Sequence, residues 1–381
     1  MDFSLTSDQI EIQRMVRDFA EQQIAPAQAK MDEDHAFPYR VWELWSELGM
    51  AGMIIPEEYG GAGMDTLTYI IAMEEVARVS NTFALIWQVH LLAANVYKMC
   101  ASEDLKARYL TAFAKGEKLG AFGLTEPGAG SDASGIQTRA TLAGDEWVIN
   151  GTKTFISNAG TDISDGLVLI AASGNKDAER KEISCFAIPR GVSGYSLGQS
   201  WEKIAWHGMS NNELIFEDCR IPADNLIGTR GGGLRQALSA LNLGRIVFGC
   251  VSGALVQAIL EASLTYAKER KQFGKPLSSF QLIQAKLADL ATSAEAIRHF
   301  VRHVAWLHAQ GVECHKEAAM VKLFASRLAT QASLEGFQIH GGYGFMTEYA
   351  VNRYFREGKI LEIGEGTNEI QQLLIARDLG C

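Results

Sequence analysis

The hydrophobic positions change period twice along the chain. Over the opening, Ile12, Met15, Val16 and Phe19 recur at i, i+3, i+4 and i+7, the spacing of one helical face. Thr6, followed three residues later by Gln9, makes a capping-box pattern that starts this helix. Helical runs broken by loops such as 56-PEEYGGAGMD-65 continue to about residue 117. From about residue 120 the apolar runs shorten. The segments 146-EWVINGTKTFIS-157, 165-DGLVLIAAS-173, 183-ISCFAIP-189 and 211-NNELIFEDCRIP-222 are strand-like and are separated by Gly, Asn, Asp and Pro. The Asn150-Gly151 pair between apolar runs predicts a hairpin turn. After 228-GTRGGG-233, whose glycines read as a flexible hinge, the helical period returns. Ile283, Leu287, Leu290, Ala294, Ile297, Val301 and Val304 alternate spacings of four and three, the seam of a helical bundle.

The pattern therefore predicts a multidomain α+β chain: an N-terminal all-α domain over 1–118, a central β domain over 119–228, and a C-terminal α-helical bundle over 229–381. The stretch 234-LRQALSALNLGRIVFGCVSGALVQAILEASL-264 is apolar on most faces, but Arg235, Asn242 and Arg245 interrupt it. No uninterrupted apolar run reaches the roughly 20 residues of a membrane span, so it reads as a core helix inside the bundle.

Composition narrows the class. A chain of 381 residues with 47% hydrophobic content can bury a large core without staples. Net charge is −10 with no Lys/Arg-rich run, which argues against nucleic acid or an anionic membrane as the main partner. The six cysteines are scattered singly, the usage of a reducing, cytoplasmic compartment. The opening MDFSLTSDQIEIQ has neither a basic nor an apolar leader region, so the chain is expected to start where it folds.

Candidate chemistry is sparse. His299 and His303 lie one helical turn apart, yet none of the eight histidines has a Glu three residues before it, and Cys314-His315 has no second half-site. No metal is expected. G-x-S-x-G is absent, and GTRGGG matches neither phosphate-loop pattern. The cluster 268-KERKQFGK-275 reads as a solvated helix end, although its aromatic and glycine would also suit a phosphate contact. In 122-FGLTEPGAGSD-132, small residues and hydroxyls sit between an aromatic and an acid, and 338-QIHGGYGF-345 pairs glycines. Each alone is more often only a tight loop; the first could also bring backbone N–H groups and the Thr125 and Ser131 hydroxyls to a polar planar ligand, and the second could let backbone approach a ligand. In 364-GEG-366 a glutamate is bracketed by glycines just before Thr367 and an apolar helical run. It is either a solvated loop acid or a base whose backbone must come close to a substrate.

Taken together, 124-LTEPGAGSD-132, 149-INGTKTFISNA-159, 213-ELIFEDCRIP-222, 265-TYAKERKQFGKPLSSFQ-281, 338-QIHGGYGF-345 and 359-KILEIGEGTNEIQ-371 resemble the acyl-CoA dehydrogenase family of flavoproteins over essentially the whole chain. The resemblance implies that family's fold: a helical domain, a β-barrel or sandwich-like domain and a four-helix bundle. It implies FAD as cofactor, with Phe122, Leu124, Thr125, Gly130 and Ser131 lining one side of the flavin ring and the start of the acyl-CoA site. Where the family commonly has tryptophan and threonine against the ring, Phe155 and Ser157 stand here, with Ile156 between them. Arg270, Gln272, Phe273 and Gln281 match positions that reach the FAD of a neighbouring subunit, the arginine going to pyrophosphate. Gln338, Gly341 and Gly342 match the other half of that site, and Thr367 and Glu369 match positions at the adenosine-diphosphate part. A site built across subunits implies a homo-oligomer, in this family a tetramer arranged as a dimer of dimers.

The family's catalytic base stands either in the loop before the last helices or on the helix after the connector. Gly244 occupies the helix place and Glu365 the loop place, so the base is assigned to Glu365. The resemblance implies α,β-dehydrogenation of an acyl-CoA to the trans-2-enoyl thioester within fatty acid or amino acid degradation. Glu365 would take the α-proton, flavin N5 the β-hydride, and electron-transferring flavoprotein the electrons. Ser131, Asn242 and Arg245 match substrate contacts, and Gly366 offers an N–H to the thioester carbonyl. Asn242 and His207 depart from the more usual Asp and Arg, which leaves the thioester carrier open. Burial is expected to dominate the proton affinity of Glu365 once substrate excludes water. No arginine stands within 81-NTFALIWQVHLLAANVY-97, which disfavours a dicarboxylyl substrate. The alternatives are a carrier-protein thioester dehydrogenase or enoyl-CoA reductase of the same fold and, outside enzymes, a flavin-free helical scaffold.

Overall fold

A computed structural model of the protein describes residues 4–174 and 182–381. The chain opens with helices α1 (Ser7–Phe19), α2 (Ala25–Asp34), α3 (Tyr39–Glu47), α4 (Thr66–Val79), α5 (Asn81–Cys100) and α6 (Glu103–Ala114). The capping box forms as the sequence predicts: Gln9 N–H donates to Thr6 Oγ1 at 3.2 Å and Thr6 N–H donates to Gln9 Oε1 at 3.1 Å. Helix α5 packs against α4, α6 and α7 (Gly233–Glu269) and is buried without a break from Asn81 to Gln88. A helix enclosed in this way carries no polar face to betray its orientation.

The strands β1 (Phe122–Gly123), β2 (Arg139–Ala143), β3 (Glu146–Ser157), β4 (Leu167–Ala172), β5 (Ile183–Ile188), β6 (Tyr195–Ser200), β7 (Asn211–Pro222) and β8 (Leu226–Ile227) follow. They form one sheet in the order β6-β7-β3-β2-β4-β5-β8, with β1 parallel to β4. In β4 and β5 both faces are buried. Leu167, Leu169, Phe186 and Ile188 join the sheet's own core, whereas Val168, Ile170, Cys185 and Ala187 pack with the helices. That is why these two strands read as continuous apolar runs rather than alternating ones.

The expected Asn150-Gly151 hairpin turn does not form. Both residues lie inside the long strand β3, at a register shift against β7. Gly151 has φ 145, and a Cβ there would stand 2.6 Å from Thr138 Cα, so the glycine serves a bulge. Asn150 Nδ2 donates to Asp218 Oδ1 at 3.1 Å, and Asp218 N–H donates to Asn150 Oδ1 at 2.9 Å, which pairs the bulge across the strands. The turn from β2 to β3 is instead Gly144-Asp145, closing Ala143 onto Glu146. The connector 228–233 is anchored rather than free: Gly231 N–H donates to Ser184 Oγ at 2.9 Å and Arg230 Nη2 donates to Ser173 O at 2.9 Å.

Helix α7 lies at the centre of the C-terminal bundle, against α8 (Gln281–Ala309) and α9 (His315–His340). By length and composition it is apolar enough to cross a membrane, and 83% of its apolar window is buried inside the protein, as the reading of a core helix expected. On α8, Leu290, Ala294, Ile297, Val301 and Val304 form the predicted seam. A short ribbon of β9 (Lys271–Gln272) and β10 (Lys275–Pro276) joins α7 to α8, and α10 (Ala350–Gly358) and α11 (Asn368–Asp378) complete the chain. The cluster 268–275 is thus a helix end followed by a ribbon that turns at Phe273-Gly274.

Candidate active site

Glu365 sits in the loop between α10 and α11, where Thr367 caps α11 by accepting from Ile370 N–H at 3.3 Å. Its backbone is left-handed, with φ 55, and Gly366 follows at φ 89. Holding a non-glycine residue there costs about 1 kcal/mol or more and persists where the surroundings fix it. Gln371, fully buried, provides the fixing: its Nε2 donates to Glu365 O at 3.2 Å and Gly366 O at 2.9 Å. Gly364 lets the loop close on α7, since a Cβ there would meet Phe248 Cε1 at 2.8 Å.

The loop backbone is partly exposed, but the carboxylate points inward between α5 and α7. Gln88 Nε2 donates to Glu365 Oε1 at 3.0 Å. Oε2 is buried and has no hydrogen-bond partner among the described residues. Burial raises the carboxyl pKa to about 7, opposed by the Gln88 hydrogen bond and by the charges of Arg245 and Lys322. Burial therefore already dominates in the protein itself, without a substrate to exclude water.

Gly244 faces this oxygen. A Cβ added to it would lie 2.6 Å from Glu365 Oε2, so the absence of a side chain on α7 is what admits the carboxylate. The two positions at which the sequence offered a base, 244 and 365, therefore face one another. Gly244→Ala is expected to help α7 by about 1 kcal/mol as a helix former yet to push Oε2 aside and lower turnover by about 10- to 100-fold. Steady-state kinetics beside thermal unfolding checks this, and unchanged turnover would mean that the carboxylate does not work from this place.

Asn242 and Arg245 lie on the same helix. Arg245 Nη1 donates to Asn242 Oδ1 at 2.6 Å and Asn242 Nδ2 donates to His315 Nδ1 at 2.5 Å, while Arg245 Nε is buried without a partner. They line a cleft of about 790 Å³ in which Arg235, Lys316 and Arg377 stand with Glu182, Glu313 and Asp378, a wall of mixed charge where Lys316 pairs with Asp378 at 3.5 Å.

The other predicted residues fall into two groups. In the first, Phe122, Leu124, Thr125, Gly130 and Ser131 follow one another beside β3. Phe155 is 58% exposed at φ 60, with Trp201 5.3 Å away and the indole Nε1 of that tryptophan buried and unpartnered. Ser157 Oγ accepts from Asn211 Nδ2 at 3.3 Å. Ile156 points into the sheet core, so only its backbone can serve a ligand. In the second group, Arg270, Gln272, Gly341 and Gly342 line an open cleft of about 580 Å³ at the end of α7 and α9. Arg270 lies 5.2 Å over the Tyr343 ring. Phe273 is 93% exposed at the ribbon's tip, Gln281 opens α8 and Gln338 lies in the last turn of α9. No hydrogen bond, ion pair or ring contact joins the two groups among the described residues. Thr367 and Glu369 stand beside Glu365 at the start of α11.

Sequence reasoning missed three residues. Gln88 is one of three side-chain amides in a largely apolar helix, with Asn81 and Asn95. Lys153, fully buried, donates to Glu126 Oε1 at 2.7 Å and Leu124 O at 2.9 Å, which together with Thr154 N–H on Thr125 O at 2.9 Å pins the 122–132 loop to β3. A lone lysine in strand β3 and a lone glutamate in the glycine-rich 122–132 loop are the signal that could have revealed it. The third, Lys322, is fully buried on α9.

Comparison with known proteins matches three family models in succession: acyl-CoA dehydrogenase N-terminal domain over residues 6–117, middle domain over 121–219 and C-terminal domain over 231–380. The chain is 44% identical over 380 residues to a probable acyl-CoA dehydrogenase of Bacillus subtilis, covering 100% of both. It is 40% identical to the acryloyl-CoA reductase (NADH) of Anaerotignum propionicum, covering 100% of this chain and 96% of that protein. The solved structure of butyryl-CoA dehydrogenase from Megasphaera elsdenii superposes with a TM-score of 0.96 at 36% identity over 100% of both chains.

Proposed function

The chain belongs to the acyl-CoA dehydrogenase family of oxidoreductases, and on that premise we propose that it dehydrogenates a short-chain acyl-CoA between Cα and Cβ, with Glu365 as the base. The observation that carries this reading is the unpartnered, buried Oε2 of Glu365 over the bare Gly244. A thioester α-proton is weakly acidic, so the base must be held dry and aimed. Gln88 and Gln371 hold this one from two sides, leaving a single oxygen to take the proton. Gly366 N–H is the proposed donor to the thioester carbonyl as negative charge develops there. Ser131, Asn242 and Arg245 are the proposed contacts to the carrier. The preference for a short chain is supported by the large side chains behind the base: Trp87, whose Nε1 donates to Met50 O at 2.8 Å, and Tyr69, packed edge-on against it at 5.0 Å. The domain limits 1–118, 119–228 and 229–381 are retained as proposed.

FAD is the cofactor of this family, and the residues present fit it. Phe155 offers an exposed ring face, and Gly130, Gly341 and Gly342 have open space where a Cβ would stand, as a closely approached ligand requires. Thr125, Ser131 and Ser157 supply hydroxyls, and Arg270 has no carboxylate partner among the described residues to compete with a pyrophosphate. When bound, FAD supplies the acceptor for the β-hydride and passes electrons to electron-transferring flavoprotein. Since no hydrogen bond, ion pair or ring contact joins the two groups among the described residues, the complete site is proposed to form between subunits of a tetramer.

The acryloyl-CoA reductase relative favours a second reading, reduction of a short enoyl-CoA. An anaerobic panel of saturated acyl-CoA thioesters of increasing length separates them, with loss of the flavin's visible absorption as the readout. The butyryl thioester is expected to react at least about tenfold faster than the palmitoyl thioester, because a longer chain must displace buried aromatics. Fastest reduction by the long chain would overturn the chain-length assignment. No reduction by any acyl thioester, with reoxidation by enoyl-CoA, would establish the reductase.

A further inference from the structure

A lysine with no carboxylate partner among the described residues is buried under the base loop. Lys322, on α9, is 0% exposed, and its Nζ donates to Asn368 Oδ1 at 3.0 Å. Ser326 Oγ donates to the same oxygen at 2.9 Å, and Asn368 Nδ2 is buried without a partner. Among the described residues no carboxylate comes within ion-pair distance of Nζ. Asn368 is the first residue of α11, directly after the cap Thr367 and three residues past Glu365. An ammonium sequestered without an ion pair costs several kcal/mol, and a methionine of similar volume would fill the place more cheaply. Packing therefore gives no reason for a lysine here.

The charge has one evident use. Its field reaches Glu362, Glu365 and Glu369, and burial brings its own pKa down to about 8. The groups that act on Glu365 come from every element around it: Gln88 on α5, Arg245 on α7, Lys322 on α9, and Tyr69 on α4, whose hydroxyl is buried and unpartnered. Two cations oppose the burial of the carboxylate. Arg245 lines the substrate cleft, whereas Lys322 lies behind the loop, tied to the turn that carries the base.

We propose that Lys322 is a positioning residue for the base: its ammonium, held on Asn368, locks the first turn of α11 behind Glu365 and keeps that carboxylate in the ionised form able to accept a proton. The inference rests on Glu365 being the base. The test uses the holoenzyme in four forms: wild type, Lys322→Met, Lys322→Arg and Glu365→Gln. The carboxyl band that vanishes in Glu365→Gln is followed by difference infrared titration, beside the pH dependence of kcat/KM. Removing the charge in Lys322→Met is expected to move both the band and the acid limb of the rate upward by about one pH unit, with unfolding temperature equal or higher. Lys322→Arg is expected to return both toward wild type. If the Lys322→Met band titrates where the wild-type band does, the proposal is overturned. If instead the wild-type band and the rate limb do not coincide, the assignment of the base itself has failed. Should Lys322→Met not fold, Asn368→Leu, which removes the ammonium's one hydrogen-bond acceptor among the described residues, is expected to shift the same band, and an unshifted band sinks the proposal equally.

Discussion

Glu365→Gln is expected to lower the rate of flavin reduction by acyl-CoA by about 10²- to 10⁴-fold, the contribution of a positioned general base, while FAD stays bound. The amide can keep one contact to Gln88 but cannot accept the α-proton. Wild-type kcat/KM should rise with pH through about 7 as the buried carboxylate ionises, and the variant should lose that limb. The same substitution has a stability consequence of opposite sign. The native carboxyl binds its proton more tightly than the unfolded chain does, with a pKa raised from 4.5 to about 7. Its contribution is therefore full below the unfolded value and is lost as pH climbs through about 7. A change of that size corresponds to about 3 kcal/mol, although the strained loop and the lost hydrogen-bond geometry will take part of it. Glu365→Gln should accordingly unfold at a higher temperature than wild type at pH 8.5, with the gap narrowing at pH 5. Anaerobic stopped-flow reduction and thermal unfolding at the two pH values measure both effects. Reduction at the wild-type rate would remove Glu365 from the chemistry.

The sequence carried the period-driven features well. The α1 capping box, the α8 seam and the buried character of α7 each follow from local spacing and formed as read. Asn150-Gly151 misled because the same dipeptide serves a turn or a bulge, and only the partner strand, with Asp218 facing the asparagine, decides between them. In the site, glycines around Glu365 announced a close approach, but not to what. The atoms that give them meaning are distant in sequence: Phe248 against Gly364, Gln371 against the carbonyls, and Gly244 against Oε2. Gln88 was hidden because a helix buried on all sides has no face on which one amide stands out. Lys322 was hidden for the same reason, as α9 shows a lysine in a mixed run whose burial arises only from the helices packed around α9, α7 and α11 among them. What local periodicity cannot encode is convergence, and the site is made of convergence.

Arg270→Glu is expected to abolish stable FAD binding and with it the assembled oligomer. Arg270 closes α7 at the mouth of the cleft with Gln272, Gly341 and Gly342. Phe273 is 93% and Phe345 73% exposed, the open apolar side chains expected where the proposed neighbouring subunit would pack. A guanidinium on a pyrophosphate makes paired charge-assisted hydrogen bonds, each worth about 1.5–3 kcal/mol. Reversal to glutamate removes them and sets like charges together, so FAD affinity should fall by at least about 100-fold. Arg270→Lys keeps the charge without the fork and should lie between. Flavin absorbance per protein after gel filtration, beside sedimentation mass, reads both effects. If FAD lies wholly within one chain, on the Phe155 side, Arg270→Glu will keep full occupancy, and the proposed site between subunits must be abandoned. If flavin is lost while the oligomer persists, Arg270 binds the cofactor and the exposed phenylalanines hold the subunits together without it.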